Sequence, residues 1–227
     1  MEIDDIAEQI QEYRLRGLSI FSTSSFQSQS VPLLHIISRI DRNIPIYFLN
    51  TGYLFPDSLR FRDQLARELG LRVVTIHPLV PKTQQIGSNG NLLFATDPDR
   101  CCYLNKVQPL EAVLLAHDVW INGVRADQTA ERAAMHVEQI GPHGTLRYHP
   151  LLNWTARDVH RYVQEYGLPS HPLEEKGYVS VGCEPCTRPF LDSLEHRSGR
   201  WFGMKKRECG LHTALATDAS GGEEAGR

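Results

Sequence analysis

The sequence predicts an α/β fold of three layers, a parallel sheet with flanking helices. Two observations carry that prediction. Short apolar runs (LSIFST, IPIYFLN, LRVVTI) alternate through the first third of the chain with segments of helical spacing, the order that builds βαβ units. The first two runs pass directly into polar loops, STSSFQSQS and TGY, as strands do when their carboxyl ends meet a ligand crevice.

The elements follow in chain order. Ile3, Ile6, Ile10 and Tyr13 recur at helical spacing over 3–13. After Gly17, LSIFSTSS reads as a buried strand entering a loop. VPLLHIISRI (31–40) is the helix beyond it, with Pro32 in the first turn, where a missing N–H is harmless. IPIYFLN (44–50) is a second strand, PDSLRFRDQLAREL (56–69) a helix capped near Asp57 and closed by Gly70, and LRVVTIHP (71–78) a third strand. VPKTQQIGSNGNLLFATDPDR (80–100) reads as a surface loop. VWINGV (119–124) suits another strand, and WTARDVHRYVQEYG (154–167) a helix with Thr155 and Asp158 in capping-box spacing. Beyond about residue 215 the chain is small and polar, and disorder is expected there. No internal repeat or linker interrupts the 227 residues, so the expectation is one domain with a functional C-terminal extension.

Composition narrows the function classes. With 41% hydrophobic and 22% charged residues the chain is ordinary for a soluble globular protein. No apolar run reaches the roughly 18 residues of a membrane span. The opening MEIDDIAEQIQEY is acidic and amphipathic, unlike a secretory leader, so a cytoplasmic location is expected. A net charge of −3 speaks against nucleic-acid binding. Residues 196–212, however, carry five cations (Arg197, Arg200, Lys205, Lys206, Arg207) against Glu208 alone. On an acidic chain that patch suits either a small anionic ligand or a solvated loop.

The five cysteines are Cys101, Cys102, Cys183, Cys186 and Cys209. CC and CxxC, about eighty residues apart, could converge on one metal centre, either zinc or an iron–sulfur cluster. Adjacent side chains diverge, which is awkward around one small ion and easier around a cluster. Cys209 stands among cations that would lower its pKa, as a nucleophile requires, although a docking cysteine would look the same. The serine-rich loop 22–30 lies between a strand end and a helix start and could hold phosphate on backbone N–H groups, or be a plain polar turn. It lacks the lysine and glycines of an ordinary P-loop.

Taken together these residues resemble the assimilatory adenylyl-sulfate (APS) reductases, close relatives of the phosphoadenylyl-sulfate (PAPS) reductases. The resemblance runs over residues 18–212. It rests on SSF…LLH, TGYLFP (51–56), CC…K (101–106), GVRADQ (123–128), HPLEEKGYVSVGCEPCTRP (171–189), HRSGRW and KKRECGLH (205–212). It implies a fold of the adenine-nucleotide α-hydrolase type and a [4Fe–4S] cluster on Cys101, Cys102, Cys183 and Cys186. Cys209 becomes the nucleophile that attacks the sulfur of adenosine 5'-phosphosulfate. AMP leaves an S-sulfocysteine behind, from which thioredoxin or glutaredoxin releases sulfite. Arg197, Arg200 and His212 match cations around the phosphosulfate, and Lys106 matches a lysine between cluster and substrate. Ser24, Ser25, Thr51 and Gly52 match the nucleotide loops, and Arg125 and Arg132 match substrate-loop arginines. Tyr53 and Phe55 are expected to pack.

Three positions depart from the family pattern: Gln27 for a glycine, Asn50 for an aspartate, and Asn105 for an arginine before the lysine. The resemblance also implies a homo-oligomer, dimer or tetramer. The chain is expected to divide into a reductase domain (1–197) and a mobile catalytic segment (198–227), open without substrate. Competing readings are a PAPS or dual-specificity reductase, an ATP-using PP-loop ligase or thiolase, and a non-catalytic metal-binding protein.

Overall fold

The computed structural model describes residues 3–189, 199–204, 206 and 208–212, with only the backbone of His212. Its helices and strands run α1 (Ile3–Leu15), β1 (Ile20–Thr23), α2 (Val31–Ile40), β2 (Ile46–Leu49), α3 (Pro56–Leu69), β3 (Val73–Ile76), α4 (Leu93–Thr96), α5 (Pro98–Cys102), α6 (Gln108–Leu115), β4 (Val119–Ile121), α7 (Ala130–Ala133), β5 (Glu138–Ile140), β6 (Leu146–Tyr148) and α8 (Ala156–Glu165). The strands form one six-stranded sheet in the order β3-β2-β1-β4-β6-β5. All neighbours are parallel except β5 on β6.

Strand residues alternate between two apolar layers, as the period of two demands. Ile20, Ile46, Phe48, Val119 and Ile121 face one side, where they meet Ile6, Ile10 and Tyr13 of α1, the apolar stripe of α2, Phe61 and Leu65 of α3, and Tyr162 of α8. Phe21, Tyr47, Leu49 and Trp120 face the other side, against Leu110, Val113 and Leu114 of α6. Burial on both faces explains why the strands read as continuous apolar runs. The fold class expected from the sequence is the one observed.

Local chemistry sets the element ends. Thr155 caps α8 with a full capping box to Asp158. Gly70 closes α3 in the left-handed region at φ 64°. The cap expected near Asp57 is corrected: α3 begins after Phe55 with Pro56 in its first turn, and the Asp57 carboxylate instead accepts from Arg60 at 2.9 Å. The expected surface loop 80–100 is likewise not all loop, since it contains α4 and enters α5, with Asp97 accepting the Arg100 N–H at 2.9 Å. The edge strand β5 and its partner β6 were not legible; at three residues each, neither carries a period.

His149 follows β6 and is fully buried, its Nδ1 paired with the His136 carbonyl at 2.8 Å. Its Nε2 has no hydrogen-bond partner among the described residues. Burial, and then the Arg147 and Arg132 charges, bring its pKa down from 6.5 to about 4. Folding therefore favours neutral His149, and stability is lost as pH falls from about 6.5 towards 4, then levels off. Unfolding free energies from urea titrations should fall across that window by on the order of 3 kcal/mol more for the protein than for His149→Gln. A constant difference across the window would contradict the assignment.

Candidate active site

The strand order reverses beside β1: β2 and β3 lie on one flank and β4 on the other. That is where an open α/β sheet forms its crevice, at the carboxyl strand ends. A cavity of about 190 Å³ opens there, lined among others by Ser22, Ser24, Thr51, Asn122, Lys106 and Cys209. The Ser22 hydroxyl and both ends of the Asn122 amide are buried without a hydrogen-bond partner among the described residues. Polar groups so placed at adjacent strand ends suit a polar ligand.

The first loop turns sharply, with Phe26 at φ 53° and its ring buried edge-on against Phe48. A bulky residue tolerates that conformation only under strong packing. Ser24 Oγ accepts the Phe26 N–H at 3.0 Å, and Ser25 Oγ accepts from the Gln27 amide at 3.1 Å. Gln27, the departure from glycine, also accepts the Val181 N–H at 3.1 Å and so straps this loop to the segment bearing Cys183. In the second loop Asn50 Oδ1 accepts the Gly52 N–H at 3.0 Å, a turn that an aspartate would make equally well. Gly52 has φ 71°, and a Cβ there would stand 2.8 Å from Lys82 Cε.

The four paired cysteines surround a second, smaller cavity together with Lys106 and Tyr53. Cys101 and Cys102 end α5, and a π-helical turn, Tyr103–Val107, follows and carries Lys106 to the same cavity. Cys183 and Cys186 flank a tight turn fixed to the second loop: Leu54 bridges Cys183, and the Glu184 N–H donates to Tyr53 O at 2.7 Å. Thr51 Oγ1 lies 3.3 Å from Cys183 Sγ. None of the five thiols is in a disulfide. Burial, then the neighbouring thiolates, push Cys101 up to about 12 and Cys186 up to about 11.

Four thiols lining one cavity are a donor set of the chemistry that suits a thiolate-bound metal group, although among the described residues no three His, Cys, Asp or Glu side chains are already grouped to hold a metal ion. Their crowding calls for a positive centre among them. The buried Tyr53 hydroxyl, unpartnered among the described residues, lines the same space.

Between the two cavities stands the Lys106 ammonium, 3.8 Å from Cys209 Sγ and lining both. Burial opposes its charge, yet the Cys209, Cys183 and Cys102 thiolates outweigh burial and raise its pKa. The Cys209 pKa is lowered: burial works against the thiolate, but Lys106, the Leu211 N–H and Arg200 prevail over burial and Glu208. Lys106 thus acts on Cys209 from far along the sequence, and Arg200 from within the charged run 196–212. Lys206 pairs with Asp99, while Lys205 and Arg207 lie outside the described residues.

Glu208, adjacent to Cys209, is buried in a two-pronged ion pair with Arg132, both contacts at 2.9 Å, and accepts from Thr129 at 3.1 Å. Its Oε1 also accepts the Cys209 N–H at 2.7 Å. Leu211 enters the apolar layer beside α6 and Trp120. Arg200 lines both cavities, its guanidinium packed so closely over Gly182 that no side chain fits there.

Of the residues singled out from the sequence, Ser24, Ser25, Thr51, Lys106, Arg132, Arg200 and Cys209 line the larger cavity. Gly52 and Arg125 do not; Arg125 is buried against Asp127 at 3.0 Å and Gln29 at 3.0 Å. Arg197 and the His212 side chain lie outside the described residues. Tyr53 and Phe55 are buried as expected, Tyr53 against Phe94 and Phe55 against Tyr178. Ser22 fell within the serine-rich loop read from the sequence, whereas Asn122 and the part played by Glu208 beside Cys209 were missed. Of these last two only Asn122, a polar residue closing an apolar strand, carried a readable signal.

Fold and site define an α/β protein with a cation-lined cleft at the sheet's switch point and an activated thiol at its mouth. Residues 19–189 match the phosphoadenosine phosphosulfate reductase domain family, and the chain belongs to it. It is 38% identical over 207 residues to the adenosine 5'-phosphosulfate reductase of Chelativorans sp. (strain BNC1), covering 89% of this chain and 82% of that one. It is 37% identical over 203 residues to the phosphoadenosine 5'-phosphosulfate reductase of Gloeobacter violaceus, covering 88% and 84%. The crystal structure of phosphoadenylyl-sulfate (PAPS) reductase from Candida auris in a phosphate complex shares the fold, with TM-score 0.63, 22% identity, and coverage of 80% of this chain and 94% of that chain.

Removing Lys106 should raise the Cys209 pKa. Site-resolved alkylation by iodoacetamide at neutral pH should be about tenfold or more slower at Cys209 in Lys106→Met, with the rate recovering at high pH. An unchanged pH profile would show that Lys106 does not hold the thiolate.

Proposed function

We propose that this protein reduces adenosine 5'-phosphosulfate to sulfite and AMP. The observation that carries the reading is Cys209 Sγ, 3.8 Å from the Lys106 ammonium at the mouth of the cleft lined by Ser24 and Thr51. The names of relatives such as the Chelativorans enzyme support the same substrate.

The nucleotide would lie along the strand ends, its phosphosulfate between Lys106, Arg132 and Arg200. The Cys209 thiolate attacks the sulfur, the S–O bond breaks, and its electron pair leaves on AMP. Fixed cations offset the repulsion between thiolate and sulfate and stabilise the leaving phosphate. A thiolate of an external dithiol, thioredoxin or glutaredoxin, then attacks Cys209 Sγ. The S–S bond to the sulfo group breaks and sulfite leaves with the pair, giving a mixed disulfide; the reductant's second thiol attacks that bond, closes its own disulfide and frees the Cys209 thiolate. The two electrons come from thiols alone.

Cys101, Cys102, Cys183 and Cys186 would hold a [4Fe–4S] cluster. When bound, that group supplies positive charge among the thiolates and ties the two cysteine arms together. No described helix is long and apolar enough to cross a membrane. A cytoplasmic, homo-oligomeric enzyme is the reading that goes with this substrate.

Thioredoxin-dependent sulfite release from anaerobically purified protein tests the assignment. APS should be turned over, and Cys209→Ser should lose at least three orders of magnitude of activity while keeping its iron. No sulfite from iron-loaded protein would end this reading. A second reading, PAPS or dual use, is favoured by the name of the Gloeobacter relative, and matched assays with PAPS separate the two.

The domain division belongs to this proposal too. Cys209 must meet both substrate and reductant, so the segment from 198 onward must undock at one stage. Proteolysis within that segment should slow severalfold when AMP is present. Equal cleavage with and without AMP would count against a moving segment.

A further inference from the structure

The cysteine arm is held by a buried pair of neutral amides. Asn105 and Gln85 are 2% and 1% exposed. Asn105 Nδ2 donates to Gln85 Oε1 at 2.6 Å, and Gln85 Nε2 donates back to Asn105 Oδ1 at 3.0 Å. The same Asn105 nitrogen lies 2.8 Å from the Cys101 carbonyl and 3.5 Å from Cys101 Sγ. Gln85 is anchored in turn, donating to the Val80 carbonyl at 2.8 Å. A buried amide is retained only where its polar atoms are matched, and the Cys101 and Val80 carbonyls, which accept from the two nitrogens, fix the orientation of the pair. Of the two Asn105 N–H groups one goes to Gln85, and the other is shared between the Cys101 carbonyl and, at longer range, its sulfur.

We propose that Asn105, oriented by Gln85, is a positioning residue for the metal group held by the four cysteines. The N–H that it turns to Cys101, shared between that residue's carbonyl oxygen and its sulfur, orients and stabilises the sulfur without adding a charge beside Lys106. The inference rests on the iron–sulfur reading above. It also gives a function to the 80–92 segment, whose Gln85 reaches across to the arm. An arginine in place of Asn105, as the family pattern expects, would have to bury a second cation next to Lys106. The amide pair supplies a hydrogen bond to the sulfur and no such repulsion.

The test uses the anaerobically purified, iron-loaded full chain with Asn105→Leu and Gln85→Met. Three quantities are read: the rate of iron loss to a chelator, the Fe–S stretching bands in resonance Raman spectra, and thermal stability. Both variants should lose iron at least threefold faster and shift the Fe–S bands in the same direction, and the double variant should match Asn105→Leu rather than add to it. Gln85→Met leaves the arm intact and keeps the test informative should Asn105→Leu not fold. Iron loss and Fe–S bands identical to those of the parent, with only the melting temperature lowered, would make the pair a packing device and overturn the proposal alone. A well-folded parent chain that binds no iron would overturn the cluster reading and this proposal with it.

Discussion

The Lys106 ammonium is the point on which the rest of the site depends. Four thiols in one small cavity and a fifth nearby would repel one another if ionised, and burial penalises each charge. One cation between the groups lets the four thiols of the smaller cavity and the Cys209 thiol share a single counter-charge. Its own pKa is raised by the thiolates it stabilises, so the stabilisation is mutual. The π-helical turn at Tyr103–Val107 shifts the register of the arm after the adjacent cysteines, so that Lys106 lines both cavities.

The fold was legible because both faces of the sheet are covered. Strands β1 to β3 showed as apolar runs, and α2, α3 and α8 by period, proline, glycine or capping box. What failed to show was short or held by tertiary contacts. β5 and β6 are three residues each, and α4 and α5 are short turns, the second ending in the adjacent cysteines, so none carries a period. The five cysteines were identifiable from residue type and spacing, and Lys106 from the family resemblance. Their energetics were not: that Lys106 stands beside the Cys209 thiol, together with Arg200 of the charged run, is a tertiary fact.

Each departure from the family pattern places a neutral amide, and at Asn50 and Asn105 it does so where the pattern has a charge. Asn50 makes the turn expected of an aspartate, through its amide oxygen. Gln27 closes the gap that a glycine would leave by tying the first loop to Val181. Asn105 replaces a cation with half of an amide pair. In each case a neutral amide meets a backbone or side-chain partner that sequence comparison alone could not supply, because the partner lies twenty or more residues away or in a turn whose shape had to be seen.

The same logic explains an acidic residue beside a nucleophilic cysteine. Glu208 opposes the Cys209 thiolate, yet Arg132 and Thr129 take up its oxygens and its carboxylate receives the Cys209 N–H. Breaking a buried pair by removing one member typically costs about 3–5 kcal/mol, because the other charge is stranded. Undocking the segment is different: both charges regain water, which offsets much of the attraction lost. On the proposed reading, in which Cys209 meets substrate and then reductant, an ion pair is a fastening that can open as well as hold. Leu211, set among the side chains beside α6, adds an apolar contact to the same seat.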